Sequence, residues 1–292
     1  MKIGGGWIFF IVFHMAMGQK YTMEHQGKKR SYLVHLPQGY EKGRQYPLVL
    51  SFHGWGGSSD EQRRYTRMDD VADKEKFIVV YPQSYHHFWN AGVLDNHYTH
   101  GKDDVGFVRS LLGHLKHDFP VDADSVYVVG LSLGGIFCHR LACELDDQIA
   151  AFASVSGLLS DSTEHRCPKG RPLPMLLLHG TKDHFVKYKG NREYVGAEKT
   201  VGFWAKRNGC MRSDTLLLPD VDKNDKTRCT LIRFDCQDKT QVWFLKIKGG
   251  GHTWPQSGMN YWYFGRTSRD VDASQFIWNF FRQFRLQREG SM

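Results

Sequence analysis

One short glycine-rich segment of this sequence has the residue types and spacing of a nucleophilic site. Residues 130–135 read GLSLGG, so Ser132 stands between Gly130 and Gly134 in the pattern G-x-S-x-G. The β-branched segment SVYVV precedes this pattern, and the helix-like segment IFCHRLACEL follows it. A serine at such a strand-to-helix junction projects from a sharp, strained turn, which side chains at the two glycine positions would obstruct. The pattern therefore predicts that Ser132 is a nucleophile.

A serine nucleophile needs two partners, and the sequence offers both. A base must take the hydroxyl proton, and a carboxylate must orient that base. After a serine of this type, the acid and then the histidine follow in chain order. Asp183 follows the strand-like segment PMLLLHG, and His252 follows the segment QVWFLKI and three glycines. We therefore expect a catalytic triad of Ser132, Asp183 and His252.

The negative oxygen of a tetrahedral intermediate also needs hydrogen-bond donors. The backbone N–H of Leu133, the residue after the nucleophile, is the first expected donor. The glycine-rich segment SFHGWGGSSD follows an early strand-like run, and there we assign the second donor to the N–H of Trp55. We interpret His53 in the same segment as a residue that braces the loop and not as a second base.

Other aromatic and histidine residues give weaker signals. We expect Trp254, Trp89 and Asn90 to line the acyl or leaving-group pocket, with packing beneath the loops as the equal alternative. Four histidines in one long loop lack an ordered ligand spacing, so neither a metal nor a cofactor is expected; they are His86, His87, His97 and His100.

Strand-like and helix-like segments alternate along the chain. The continuous apolar runs YPLVLSFHG, FIVVYP and SVYVVG are typical of strands buried on both faces. Helices are predicted over residues 60–76, from residue 103 onward, over about 132–144, from 191 to 204, and after an N-cap at Asp272. This alternation indicates the α/β class, with a mostly parallel central sheet and helices on both faces. No linker or repeat interrupts the chain, so residues 19–292 are expected to form a single catalytic domain.

The N-terminus and the cysteines both point to an oxidising compartment. Residues 1–18 combine one lysine, an apolar run too short to span a bilayer and a small-residue end, as in a signal peptide. The mature protein is therefore expected to be secreted and extracellular. Six cysteines suggest disulfides, and the preferred pairs are Cys143–Cys167 and Cys210–Cys236. The state of Cys138 and Cys229 stays open.

The formal charge of +8 does not by itself indicate a nucleic-acid partner. The lysines and arginines are scattered, and only the KKR at residues 28–30 forms a cluster. We expect no nucleic-acid partner, and no membrane association after removal of the leader.

Several blocks together resemble a known group of enzymes. YPLVLSFHGWGG, WNAG, DDVGFV, GLSLGG, LACE, LLLHGTKD and GGGHTWP occur in this order between about Tyr32 and Phe281. They resemble the secreted polyhydroxybutyrate depolymerase and feruloyl esterase group of α/β-hydrolases, which are carbohydrate esterase family 1-like. The resemblance implies the α/β-hydrolase fold, the Ser132, Asp183 and His252 triad, and carboxylic ester substrates. It also supports the Cys210–Cys236 bridge, whereas the segment after WNAG departs from the group.

The leading hypothesis is a secreted serine esterase that cleaves hydroxycinnamoyl esters of plant polysaccharide through an acyl-enzyme. The alternative substrate is poly(3-hydroxybutyrate), so the expected partner is an ester, either small or polymeric. A serine peptidase and a non-catalytic binding protein on a hydrolase scaffold are the more distant alternatives.

Overall fold

A ten-stranded sheet organises the chain in this computed structural model, which describes residues 18–93, 101–259 and 261–287. The strands in chain order are β1 (Gln19–His25), β2 (Lys28–His35), β3 (Tyr46–Phe52), β4 (Ile78–Pro82), β5 (Val121–Leu131), β6 (Ala151–Val155), β7 (Met175–Gly180), β8 (Arg212–Leu217), β9 (Arg228–Asp235) and β10 (Gln241–Lys248). The helices are α1 (Ser59–Thr66), α2 (Met68–Glu75), α3 (Asp104–Asp118), α4 (Leu133–Glu144), α5 (Asp161–Arg166), α6 (Ala197–Arg207) and α7 (Ala273–Phe281). Short 3₁₀ turns cover Tyr85–His87, Gln237–Lys239 and Trp262–Phe264. Residues 1–17 of the predicted leader, and also His97 and His100, lie outside the described residues.

The strand order confirms the predicted α/β architecture. The order across the sheet is β1-β2-β4-β3-β5-β6-β7-β10-β9-β8. The six strands from β4 to β10 in this order pair in parallel, and β1, β2, β9 and β8 complete the two edges with antiparallel pairs. The carboxyl ends of the parallel strands therefore meet at one edge, where the loops after β3, β5, β7 and β10 lie close together.

Two apolar cores lie on opposite faces of the sheet. Along β3, Leu48 and Leu50 enter one core and Val49 enters the other, as expected when successive side chains alternate between faces. Helices α3, α4 and α6 contribute to the first core, and α1, α2 and α7 contribute to the second. Among the helices of the described ranges, none combines the length and the apolar character that spanning a bilayer requires.

Two helix predictions need correction. The helix predicted over residues 60–76 is two helices, because Arg67 between them adopts a left-handed conformation with φ of 52°. The helix predicted from Asn191 begins only at Ala197. The Asn191 side-chain oxygen accepts the N–H groups of Glu193 and Tyr194, and this local turn competes with a helix.

The sequence analysis did not predict β1, β8 or α5. Every residue of β8 is exposed. Its sequence therefore lacks the alternation of apolar and polar residues by which a half-buried strand is predicted.

Both expected disulfides are present, one linking Cys143 to Cys167 and the other Cys210 to Cys236. Cys138 and Cys229 are free thiols buried in the two cores. Burial raises the pKa of both thiols, that of Cys229 to about 11, so both are protonated and unreactive at neutral pH.

Candidate active site

Ser132 occupies the strained turn between β5 and α4 that its glycine pattern predicts. Its backbone has φ of 55° and ψ of −121°, a conformation that L-residues rarely adopt. A Cβ atom on Gly130 would lie 2.2 Å from the carbonyl carbon of Gly134, and one on Gly134 would lie 2.3 Å from the Phe52 carbonyl oxygen. Glycine is therefore required at both positions, because the turn, α4 and β3 approach one another too closely for any side chain.

Asp183 and His252 form a buried hydrogen-bonded pair beside this turn. His252 Nδ1 donates to Asp183 Oδ2 at 2.7 Å, and both side chains are almost fully buried. The other carboxylate oxygen, Oδ1, accepts the N–H groups of Phe185 at 2.9 Å and Val186 at 2.8 Å. These contacts fix the orientation of the carboxylate and leave His252 Nε2 as the nitrogen that can accept a proton.

The glycines before His252 allow its loop to pack against neighbouring backbone. Gly249 has φ of 79°, and a Cβ atom on Gly251 would lie 2.2 Å from the Phe264 carbonyl oxygen. The N–H of His252 donates to that same oxygen at 2.7 Å. The loop is therefore held in one position by close backbone contact.

The residues of the two expected oxyanion donors, Trp55 and Leu133, line the same cavity as Ser132. Trp55 lies in the loop after β3, where the N–H groups of Gly56 and Gly57 donate to His87 O and Gly54 O. Within the described residues, no partner accepts the N–H of Trp55. Leu133 is the first residue of α4, so its N–H has no partner inside the helix.

Two buried histidines support the loops that carry these groups. His53 Nδ1 donates to the Gly54 carbonyl at 2.8 Å, and its Nε2 accepts the Ser84 N–H at 3.2 Å. Burial lowers the pKa of His53 to about 4. It is therefore neutral and fully bonded, as expected for a residue that braces the loop.

His179 has the corresponding position behind Asp183. Its Nε2 donates to the Val186 carbonyl at 2.9 Å and lies 3.6 Å from Asp183 Oδ2. Burial lowers the pKa of His179 to about 4, so a neutral imidazole supports the loop that carries the acid. The sequence analysis did not single out His179, although it lies near the end of β7, four residues before Asp183.

A cavity of about 650 Å³ opens above Ser132 and His252. Seven aromatic side chains contribute to its walls; they are Trp55, Tyr65, Phe185, Tyr194, Tyr261, Tyr263 and Phe264. Apart from Trp55, the sequence analysis missed these residues, although Phe185 lies two positions after the acid and Tyr261, Tyr263 and Phe264 form one aromatic run. An apolar cavity beside a serine, a histidine and unpaired N–H donors can hold an ester and attack its carbonyl carbon.

The three residues predicted to line this cavity do not do so. Trp89 is fully buried, stacks on Phe137 with 5.1 Å between ring centroids, and donates to the His53 carbonyl. Trp254 is buried in the second core and donates to Ser274 Oγ at 3.1 Å. Asn90 donates to the Lys102 carbonyl and lines a separate cavity. Trp89 and Trp254 thus pack beneath the loops, which was the alternative interpretation.

Few of the described residues could hold a metal. His87 Nδ1 lies 2.8 Å from the Gly57 carbonyl and His86 packs on Tyr85, so both serve as loop contacts. On the short helix α5, one ligand atom from each of Asp161, Glu164 and His165 lies within 4.8 Å of the other two, but none of these residues lines the cavity above Ser132.

The sequence matches a known protein family over most of its length. The model of the family Esterase, described as "Putative esterase", matches residues 24–251. The chain belongs to this esterase family. It is a carboxylic ester hydrolase.

Individual relatives of this esterase are distant. It is 28% identical to "Putative esterase NocK" of Nocardia uniformis over 78% of this chain and 72% of that protein. It is 27% identical to feruloyl esterase B of Piromyces equi over 76% of this chain, but spans only 42% of that protein. No comparison supports the polyester depolymerase alternative.

A solved structure agrees on the fold. The ferulic acid esterase of Anaeromyces mucronatus, in complex with ferulic acid, superimposes with a TM-score of 0.59 at 13% identity. The match covers 92% of this chain and 90% of that one. The α/β-hydrolase fold predicted for the esterase is thus confirmed.

Proposed function

We propose that this esterase is a secreted, feruloyl esterase-like serine hydrolase that acts through an acyl-enzyme. The observation that carries the proposal is the bond from His252 Nδ1 to Asp183 Oδ2, with His252 and Ser132 on the wall of one cavity. When Nδ1 of a histidine donates to a carboxylate, its Nε2 can accept a proton, as a general base must.

The reaction then proceeds in two halves. Ser132 Oγ attacks the ester carbonyl carbon while His252 Nε2 takes its proton, and the N–H groups of Trp55 and Leu133 donate to the negative oxygen. Collapse of this intermediate breaks the bond to the alcohol, which receives the proton from His252. Water then attacks the acyl carbon and loses a proton to the same nitrogen. When the bond from the acyl carbon to Ser132 Oγ breaks, His252 returns this proton to Oγ, so the acid is released and Ser132 is regenerated. Asp183 stays ionised throughout and stabilises the imidazolium form of His252.

A hydroxycinnamoyl ester of plant polysaccharide is the substrate we infer. The aromatic walls of the cavity suit a planar phenyl ring, which gains most from burial against other rings. The relatives named feruloyl esterase support the same choice. Secretion is supported by the two disulfides and the signal-like residues 1–18, and residues 19–292 then act as one catalytic domain.

The test compares turnover of methyl ferulate, a 3-hydroxybutyrate oligomer and the amide matched to methyl ferulate. We expect kcat/KM to be highest for methyl ferulate. Ser132→Ala should lower kcat by at least about 10³-fold and abolish labelling by a fluorophosphonate probe, with the melting temperature retained.

Ser213→Ala is the matched control. Ser213 is exposed on β8, an edge strand five places from β5 in the sheet, so this variant should keep full activity and labelling. Unchanged turnover in Ser132→Ala would refute the mechanism. A preference for the oligomer or the amide would replace the substrate and keep the mechanism.

A further inference from the structure

The alcohol side of a bound ester must lie against a cluster of aromatic rings. His252 protonates the departing alcohol, so that group lies next to the imidazole. The ring of Phe185 lies 5.3 Å from the His252 ring and that of Phe264 lies 5.7 Å from it, measured between centroids. Tyr263 contacts Phe264 at 4.5 Å and Tyr261 lies 5.7 Å from Phe264. The alcohol subsite is thus walled by four aromatic side chains.

A carboxylate without a partner among the described residues lines the same cavity. Glu193 lines the cavity, and no described residue forms an ion pair or a side-chain hydrogen bond with its carboxylate. Its backbone is nevertheless held in place, because its N–H donates to Asn191 Oδ1 and its carbonyl accepts the Asp161 N–H. The next residue, Tyr194, donates its hydroxyl to the Phe185 carbonyl at 3.1 Å. Glu193 is therefore tied to the segment that carries Phe185.

The charge of the cavity is opposite to that of the whole chain. The described lining contains two carboxylate residues, Glu61 and Glu193, and neither lysine nor arginine. The chain as a whole carries a formal charge of +8. The lysines and arginine on the loop of Glu193 are exposed and do not line the cavity; they are Lys182, Lys187, Lys189 and Arg192. This distribution disfavours anionic alcohols and favours cationic ones.

We propose that the alcohol subsite recognises a quaternary ammonium group, so that the esterase prefers choline-type esters of aromatic acids to their uncharged counterparts. Aromatic faces attract an ammonium ion through the ring quadrupole, and a nearby carboxylate adds a direct charge interaction. The inference rests on the esterase function proposed above and adds the chemical class of the alcohol.

The experiment compares two esters that differ by one charge. Feruloylcholine carries a trimethylammonium group, and 3,3-dimethylbutyl ferulate carries a tert-butyl group of nearly the same shape. We expect kcat/KM of the full-length mature esterase to be about tenfold higher for the choline ester. Glu193→Gln should lower this ratio about threefold, and added salt should lower it in the unmodified protein more than in the variant.

Glu24→Gln is the matched control, because Glu24 is exposed on β1 and lies outside the cavity lining. It should leave the ratio unchanged. A ratio of one or less, or a ratio that Glu193→Gln does not alter, would overturn the inference while hydrolysis of the neutral ester upholds the proposed function. If neither ester is hydrolysed, both proposals are wrong.

Discussion

The floor and the rim of the cavity are built in different ways. At the floor, Leu133, Asp183 and His252 are buried, and Gly134 lies so close to the Phe52 carbonyl that a methyl group has no room. At the rim, the side chains of Trp55, Phe185 and Tyr263 are 53%, 54% and 51% exposed. The same cavity thus joins a closely packed base to loosely packed walls.

This difference follows from what each part must do. Attack and proton transfer require atoms held within a few tenths of an ångström, which only close packing provides. Selection of the acyl group and the alcohol requires surface that is empty until the substrate arrives. Substitutions at the floor should therefore change stability and activity together, whereas substitutions at the rim should change activity alone.

The largest expected effect is that of Gly134→Ala at the floor. The added methyl group would lie 2.3 Å from the Phe52 carbonyl oxygen and 2.6 Å from the His53 carbonyl oxygen, and backbone cannot move aside cheaply. We expect the free energy of unfolding to fall by about 3 kcal/mol or more, with loss of ester hydrolysis. Chemical denaturation and kcat/KM on methyl ferulate measure the two effects.

Gly113→Ala is the control for Gly134→Ala. Gly113 is also helical, on the exposed face of α3, and a Cβ atom there meets nothing within 4 Å. This substitution should stabilise the fold by about 0.5–1 kcal/mol and leave activity unchanged. Equal behaviour of the two variants would show that the floor is not closely packed.

The floor could be predicted from sequence because it depends on local patterns. The pattern of Gly130, Ser132 and Gly134 predicts a tight turn between a strand and the next helix. Asp183 and His252 were chosen as the expected partners of Ser132 because each follows a strand, in the order acid and then histidine. The parallel sheet follows from continuous apolar runs separated by helical segments. These signals lie within short segments, and no knowledge of distant packing is needed to interpret them.

The rim could not be predicted, because exposure depends on contacts far along the chain. Trp254 follows His252 by two residues, but it is covered by α7, where Ser274 Oγ accepts its indole N–H. Trp89 is covered by Phe137 of α4. By contrast, Phe185 and Tyr263 are left at the surface. Composition cannot distinguish a tryptophan beneath a loop from an aromatic ring beside the substrate.

Acid should lower the stability of the fold, because three buried histidines resist protonation. Burial lowers the pKa of His53 and His179 to about 4 and that of His139 to about 3, from an ordinary value of 6.5. The unfolded chain gains protons below about pH 6.5 that the folded chain does not, so stability is lost as the pH falls from there toward about pH 4. Between about pH 7 and about pH 5.5 we expect a loss of about 1 kcal/mol for each histidine.

His139→Gln tests this account by denaturation at several pH values. His139 Nδ1 accepts the Trp204 indole N–H at 2.9 Å, and a glutamine oxygen can accept the same bond without titrating. The variant should lose about 1 kcal/mol less than the unmodified protein over the same pH interval. An identical pH dependence in both proteins would mean that the histidine does not contribute to the acid sensitivity.

The smallest expected effect is that of Phe185→Ala at the rim. The Phe185 ring lies 5.3 Å from the His252 ring and is 54% exposed, so its removal uncovers little core but takes away one wall of the subsite. We expect kcat/KM on 3,3-dimethylbutyl ferulate, whose alcohol fills this subsite, to fall about tenfold, and the free energy of unfolding to change by less than about 0.5 kcal/mol.

Trp262→Ala separates the wall of the cavity from exposed aromatic surface in general. Trp262 is 88% exposed and does not line the cavity, although it neighbours Tyr263 in the sequence. This variant should hydrolyse 3,3-dimethylbutyl ferulate at the normal rate, because the alcohol of this ester contacts only residues that line the cavity. If Trp262→Ala lost as much activity as Phe185→Ala, substrate recognition would extend beyond the residues that line the cavity to the exposed aromatic surface around it. A normal rate in Trp262→Ala, together with the tenfold loss in Phe185→Ala, places recognition of the alcohol group at the rings beside His252.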